Sequence, residues 1–181
     1  MLGWIAVAAI LNIAVPQLER TVANNSADFV PDDLPANISL ERMASDFEVS
    51  ASNAVSSVVL VNENGFGPAD ERYYRELVRR LVADHEDVAY VLDTYGNPVT
   101  RGVALSPDGK AVQMTVAAQG SVGSTRAHHS TVGIRAVIDG MAKPDGLAVH
   151  YSGPAATLSD LFSAIDVSLL IITAVSVVLI T

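Results

Sequence analysis

A chain of 181 residues suits one ordinary domain with appendages, and its net charge of −9, from 11 Lys+Arg against 20 Asp+Glu, leaves no basic stripe and argues against nucleic acid as a partner. The absence of cysteine excludes disulfides, thiolate chemistry and cysteine metal sites. Half of the residues are hydrophobic and the mean hydropathy is +0.34, high for a chain whose whole surface must be wetted.

That apolar excess is concentrated at the two ends, because every charged residue falls between Glu19 and Asp166. Met1 to Val15 is uncharged, and Asn12 is its only strongly polar side chain. A helix needs about 20 apolar residues to cross ~30 Å of hydrocarbon at ~1.5 Å per residue. Fifteen residues fall short of that, so residues 1–16 are expected to be a first transmembrane helix cut short. A signal-peptide core is the alternative, but the run lacks a basic leader and PQLER after it is no small-residue cleavage site. Residues 17–54, rich in Asn, Asp and Pro at first, read as a connection leaving the membrane. It carries a short helix over 39–47, capped by Ser39, with Leu40, Met43, Ala44 and Phe47 on one face.

Residues 55–153 read as an alternation of strands and helices. VSSVVLVN (55–62) is β-branched and bounded by turn residues, which predicts a buried strand. NGFGP turns the chain, Pro68 suits a first helical position, and Asp70 and Glu71 lie where the helix dipole favours negative charge. Tyr74, Leu77, Val78 and Leu81 then define the apolar face of a helix running to about Asp84. VAYVLDTY (88–95) predicts a second strand. GVAL (102–105), the turn SPDG and KAVQMTVAA (110–118) predict a hairpin, with Val112, Met114 and Val116 alternating against Gln113 and Thr115. GSVGS leads into a second amphipathic helix lined by Ile134, Val137, Ile138 and Met141 and ended by KPDG (143–146), before a last strand, LAVHYSG (147–153).

From Pro154 a helix is expected through residues 154–166, continuing without a clear break into residues 167–181, a second transmembrane helix also cut short. The uncharged run is apolar all the way round, which favours lipid. A buried helix of a soluble domain, or two helices docked on each other without lipid, are the alternatives. The order strand, helix, strand, strand, helix, strand is the β-α-β-β-α-β split unit of ferredoxin-like domains. The expected fold class is therefore α+β, a ferredoxin-like extracytoplasmic domain tethered between two spans. The outward placement of the long acidic loop is a lean only, because the flanks that the positive-inside rule counts are missing.

No catalytic, cofactor or metal constellation emerges. His128 and His129 are adjacent, so on a helix they point about 100° apart, and neither has a carboxylate three or four residues away. DHED (84–87) suits a solvated helix end, and GSVGS lacks the Lys-Ser/Thr of a phosphate loop. No G-x-S-x-G elbow occurs, which leaves a hydrolase without a nucleophile. NNS (24–26) and NIS (37–39) match the glycosylation pattern, which matters only in a eukaryotic secretory route. Arg72, Arg75 and Arg79 recur on one helix face and are candidates for contact with an acidic partner or a lipid headgroup; the plainer alternative is a solvated face paired with Glu71 and Glu76. The spans carry no ionisable side chain, so nothing here marks a proton relay, and Asp166 reads as an interfacial residue.

Five stretches taken in order resemble one family: NIAVPQLE (12–19), YYRELVRRL (73–81), VAYVLDTYGNPVT (88–100), PDGKAVQMTV (107–116) and SGPAATLSD (152–160). Together they are similar to the opening section of resistance-nodulation-division permeases, and more closely to the mycobacterial membrane protein large (MmpL) family. The resemblance implies a proton-driven exporter of cell-envelope lipids or lipidic siderophores in the plasma membrane, without enzyme activity or cofactor. It implies that residues 17–166 lie outside the cytoplasm as a porter subdomain on the substrate path. The remaining spans and a second porter subdomain would be partners, so the segment is not expected to transport alone. The competing reading is a free-standing two-span protein whose outer domain binds a partner or ligand.

Overall fold

The computed structural model describes residues 34–46 and 51–180. The expected first span, residues 1–16, lies outside the described residues, as does Phe47. The elements are α1 (Pro35–Asp46), β1 (Val55–Asn62), α2 (Pro68–Ala83), β2 (Val88–Leu92), α3 (Arg101–Ala104), β3 (Ala111–Ala118), α4 (Thr125–Asp139), β4 (Leu147–Ser152) and α5 (Pro154–Ile180). The strands form one antiparallel sheet in the order β2-β3-β1-β4. Central β1 pairs Val58 with Met114 of β3 on one side and with Tyr151 of β4 on the other. The protein is thus mixed α+β, with a four-stranded sheet and one long apolar helix.

The period-2 pattern of β1 sends Ser56, Val58, Leu60 and Asn62 to the covered face. There they meet Tyr74, Leu77 and Leu81 of α2 and Ile134 and Ile138 of α4, all but Ile138 without exposed surface. β3 adds Val112, Met114 and Val116, the three residues its alternation marks. Tyr74 is the largest of these fully buried side chains. Its ring meets Tyr95 edge-on at 5.2 Å, and its hydroxyl donates to Asp93 Oδ1 at 2.6 Å. Burial, then that bond to a carboxylate, pushes the phenol well above its usual range.

Four boundaries differ from the sequence-based expectation. α1 begins at Pro35, whose fixed φ suits a first turn, so Ser39 lies inside the helix and donates back to the Pro35 carbonyl at 2.7 Å instead of capping. Of the expected α1 face, Ala44 is buried but Met43 is half exposed. β2 stops at Leu92, and the expected first hairpin arm, 102–105, is replaced by the one-turn helix α3; only Leu105 bridges to Val112. Local hydrogen bonds explain this: Asp93 Oδ1 accepts from Gly96 N–H, Asn97 Oδ1 from Val99 N–H, and Thr100 Oγ1 donates to the Thr94 carbonyl. Side chains thereby satisfy backbone groups that a strand would have paired. The SPDG turn itself forms, with Gly109 at φ +70° donating to the Ser106 carbonyl. Finally, α4 ends at Gly140 rather than at KPDG, which instead turns the chain into β4; Met141 stays buried just past the helix.

At the start of α2 the sequence-based reading of Asp70 as a dipole partner understates its role. Its Oδ2 accepts from the Gly67 N–H at 2.9 Å and from Asn62 Nδ2 at 3.0 Å, and the residue is buried. Asp70→Ala is expected to destabilise the domain by about 2–3 kcal/mol, because a cap is lost and one buried and one half-buried donor are left without partners. Urea denaturation of the detergent-solubilised chain, followed by tyrosine fluorescence, checks this; a loss below about 0.5 kcal/mol, as for an ordinary surface substitution, contradicts it.

Candidate functional site: an exposed apolar helix docked on the sheet

α5 joins the expected linking helix and second span into one rod of 27 residues, about 40 Å long at ~1.5 Å per residue. Its first turns belong to the globular domain. Gly153 sits at φ +143°, where a Cβ would come within 2.8 Å of Ser56 Cα, so β4 passes into the helix hard against β1. Ala155 and Ala156 are buried, and the Ala156 N–H donates to Ser56 Oγ at 3.1 Å. Ser159 Oγ lies 2.8 Å from His128 Nδ1, Phe162 meets the His128 ring edge-on, and Arg135 pairs with Asp160 at 2.9 Å. These contacts bind α5 to α4.

Past Asp166 the large apolar side chains described on the helix are exposed: Leu170 is 70% exposed, and Leu169, Ile172 and Val175 all exceed half. Residues 154–177 are long and apolar enough to cross a membrane, the only such helix among the described residues. Two of its polar side chains are satisfied within the helix, Ser168 Oγ donating to the Ala164 carbonyl at 2.7 Å and Thr173 Oγ1 to the Leu169 carbonyl at 2.8 Å. A helix in lipid needs that, since no water completes its hydrogen bonds there.

The arginines expected to mark a contact lie on the outer face of α2, all exposed. Arg75 pairs with Glu71 at 2.6 Å; Arg79 holds Glu76 through two bonds of 2.7 and 2.6 Å, and Arg80 adds a third at 2.8 Å. Arg72 makes no ion pair among the described residues. Arg79 and Arg80 together hold the Glu76 carboxyl down to about 2. Arg75, then Arg101, lower Glu71. In water such pairs each contribute little to stability. Arg101 itself escaped sequence reasoning: it bonds Glu71 at 2.6 Å and Tyr95 Oη at 3.0 Å and lies over the Tyr95 ring at 4.5 Å. Thirty positions separate Arg101 from Glu71, so no local pattern signals the link.

No group of three metal-ligating His, Asp or Glu side chains occurs among the described residues. The rings of His128 and His129 stand 5.6 Å apart and tilted by 45°. In DHED, Asp84 Oδ1 accepts from the Asp87 N–H and closes the end of α2. His128 has a structural task instead, at the α4–α5 seam. Burial, then the neighbouring His129, lowers its pKa, while Asp166 on α5 pulls the other way. A histidine lowered by folding adds stability that is present above its unfolded value and lost as pH falls through the folded one. The thermal midpoint is therefore expected to fall as pH drops below 6.5, the ordinary imidazole value. His128→Gln should flatten that dependence, and an unchanged profile in the variant contradicts the assignment.

The sequence model of the MMPL family matches residues 28–181. The siderophore exporter MmpL5 of Mycobacterium tuberculosis (strain CDC 1551 / Oshkosh) is 34% identical over 176 residues, which are 97% of this chain and 18% of that protein. The acyltrehalose exporter MmpL10 of the same strain is 33% identical over 161 residues, 89% of this chain and 16% of that protein. The probable transport protein MmpL12, from that strain also, is 34% identical over 181 residues, covering 98% and 16%. The chain thus spans less than a fifth of the length of these curated relatives, which are named as transport proteins and exporters.

Proposed function

Because this chain belongs to the MMPL family of membrane transport proteins, we propose that it is the N-terminal section of an exporter of cell-envelope lipids or lipidic siderophores. The carrying observation is the match across nearly the whole chain to an exporter, together with an apolar helix whose large side chains from Val167 to Val175 are exposed. In this reading residues 17–166 form an extracytoplasmic porter subdomain of ferredoxin-like topology, which the strand order β2-β3-β1-β4 supports. Residues 1–16 and the apolar part of α5 sit in the plasma membrane, and the substrate passes along the domain. Relatives named for siderophore and acyltrehalose export motivate the substrate class.

The energy source is the proton gradient, and the carboxylates that would relay protons belong to polypeptide outside this segment, since residues 167–180 hold no ionisable side chain. The segment alone is therefore not transport-competent. Arg72, unpaired among the described residues, with Arg75 and Arg79 beside it, offers cationic contact to an acidic partner surface or a lipid headgroup.

The test is genetic and chemical. Disruption of the gene in its host is expected to leave an envelope lipid or siderophore inside the cell and deplete it outside, read by mass spectrometry of cell and medium extracts. An uncoupler should mimic the defect. Unchanged lipid and siderophore profiles in the disrupted strain overturn the proposal.

A further inference from the structure

The turn between β1 and α2 carries a reactive pair that the fold leaves open. Asn64 is the only asparagine of the chain that is followed by glycine. An asparagine side chain is attacked by the backbone nitrogen of the next residue, and glycine obstructs that attack least because it has no Cβ. The structure separates Asn64 from the other asparagines whose side chains it describes. Asn97 precedes Pro98, which has no N–H to react. Asn62 is buried, precedes Glu63 and is tied at both side-chain ends, Nδ2 to Asp70 and Oδ1 to the Asn64 N–H. Asn53 precedes Ala54, and its Oδ1 accepts from the Val122 N–H at 2.6 Å. Asn64 is exposed, and its side chain makes no hydrogen bond among the described residues. Gly65 sits at φ +98°, and nothing lies within 4 Å of where a Cβ would stand.

We propose that Asn64 is a site of spontaneous deamidation, and that its isoaspartyl product undoes the cap of α2. Hydroxide takes the proton of the Gly65 N–H, and the nitrogen attacks Asn64 Cγ. A C–N bond forms, the Cγ–Nδ2 bond breaks, and ammonia leaves with a proton supplied by water. Water then opens the cyclic imide at either carbonyl, giving aspartate or isoaspartate. One water is consumed and one ammonia released, with no oxidant, reductant or cofactor. Each event adds one negative charge to the net −9. The inference is independent of the transporter reading.

The consequences arise in the same turn. The Gly65 N–H donates to the Asn62 carbonyl at 2.9 Å, and the Asn64 N–H to Asn62 Oδ1 at 3.0 Å. The first bond holds the proton that must leave, so the folded turn reacts more slowly than the unfolded chain, without being closed to reaction. Isoaspartate runs the main chain through Cβ, one methylene longer, and the two bonds lose their common geometry. Asn62 Nδ2 holds Asp70 Oδ2, which also accepts from the Gly67 N–H, so the disturbance reaches the first turn of α2. The new carboxylate joins Glu63 and the buried Asp70 at this end of the sheet. It also faces the turn of Asp145 and Gly146, where a Gly146 Cβ would come within 3.3 Å of Asn64 Nδ2. Like charges gathered there add to the loss.

The purified full chain in detergent is warmed for days at mildly alkaline pH, then digested at acid pH and its peptides weighed. Among the described asparagines, Asn64 is expected to gain about 1 Da first, in two chromatographic forms for aspartate and isoaspartate. Gly65→Ala should slow the gain at least about tenfold. Asn64→Gln, whose longer side chain closes the ring poorly, should abolish it, and this variant carries the test if the alanine at positive φ prevents folding. The aged native chain should unfold at lower urea than the fresh one, and aged Asn64→Gln should not. Fresh Asn64→Asp, with the charge but not the longer main chain, should fall between them.

Deamidation of Asn53 or Asn62 as fast as that of Asn64 overturns the inference. So does modification of Asn64 seen only in the urea-unfolded chain. An unchanged urea midpoint in an aged chain that carries isoaspartate overturns the link to the α2 cap.

Discussion

Replacement of Tyr74 by alanine is expected to remove about 3–5 kcal/mol of stability, the range for truncating a fully buried aromatic side chain. Domains of this size are stabilised by only about 5–15 kcal/mol, so the variant will be largely unfolded under mild denaturing conditions. Three losses combine. The ring fills the space between α2 and the turn after β2, where Leu77 and Leu81 share its layer of the core. Its edge contact with Tyr95 at 5.2 Å disappears, which loosens the ring that Phe66 also meets edge-on at 5.5 Å. Its hydroxyl no longer anchors Asp93, the residue that organises the 93–100 turn. Tyr74→Phe separates these effects: it keeps the packing and removes only the hydrogen bond, at about 1–2 kcal/mol, because Asp93 Oδ1 keeps the Gly96 N–H. Urea unfolding of the detergent-solubilised chain checks both. Equal losses for the two variants would show that the bond to Asp93, rather than the buried ring, dominates.

Leu170→Arg is expected to expel α5 from the membrane. A charged side chain costs about 2.5–3.5 kcal/mol at the centre of a spanning helix, up to roughly a hundredfold in partitioning, and less one turn past the interfacial Asp166. Leu170 is the most exposed of the large apolar side chains described on that helix, and Asp166, one turn earlier at i−4, is placed to pair with an arginine there, so Leu170→Arg is made together with Asp166→Asn. Leu170→Ala leaves the helix apolar and is the control. Alkaline extraction of membranes, on a chain lacking residues 1–16 so that no other expected span holds it, reads the result: the unsubstituted chain and Leu170→Ala stay in the pellet, and Leu170→Arg moves to the supernatant or is degraded. If Leu170→Arg stays in the pellet like the native chain, lipid does not surround this side chain. The domain itself should tolerate the change, because the contacts that fasten α5 to α4 end at Phe162, two turns earlier.

Much of the candidate site was legible in advance because its signals are local. The apolar run after Asp166 is marked by its composition, and the structure exposes its large side chains from Val167 to Val175. The α2 face followed from helical spacing, as did the pairing of Arg75 and Arg79 with glutamates three or four positions away. The seam that joins α5 to the domain was not legible. Ser56, His128 and Ser159 are ordinary residues in sequence, and their meeting depends on β1, α4 and α5 converging at one end of the sheet. The same holds for Arg101, which finds Glu71 only after the 93–104 segment folds back over α2.

By itself the sequence determined which segments are strands and helices wherever one periodicity ran uninterrupted: β1 at 55–62, the start of α2 at Pro68, the alternation of β3, and the unbroken passage from Pro154 into the apolar run. In those segments burial and backbone pairing ask for the same pattern, so local chemistry suffices. Tertiary structure decided the rest. The 101–105 stretch has strand-forming valine and leucine, yet it coils into one turn, because Asp93, Asn97 and Thr100 satisfy the neighbouring backbone and β3 already has β1 and β2 on its two sides. Which face of β1 lies under the helices was likewise undecided by residues apolar on both sides. The packing of α2 and α4 chose Val58 and Leu60 for the core and left Val59 and Val61 facing outward, since a strand presents alternate residues to opposite sides and two helices cover only one of them.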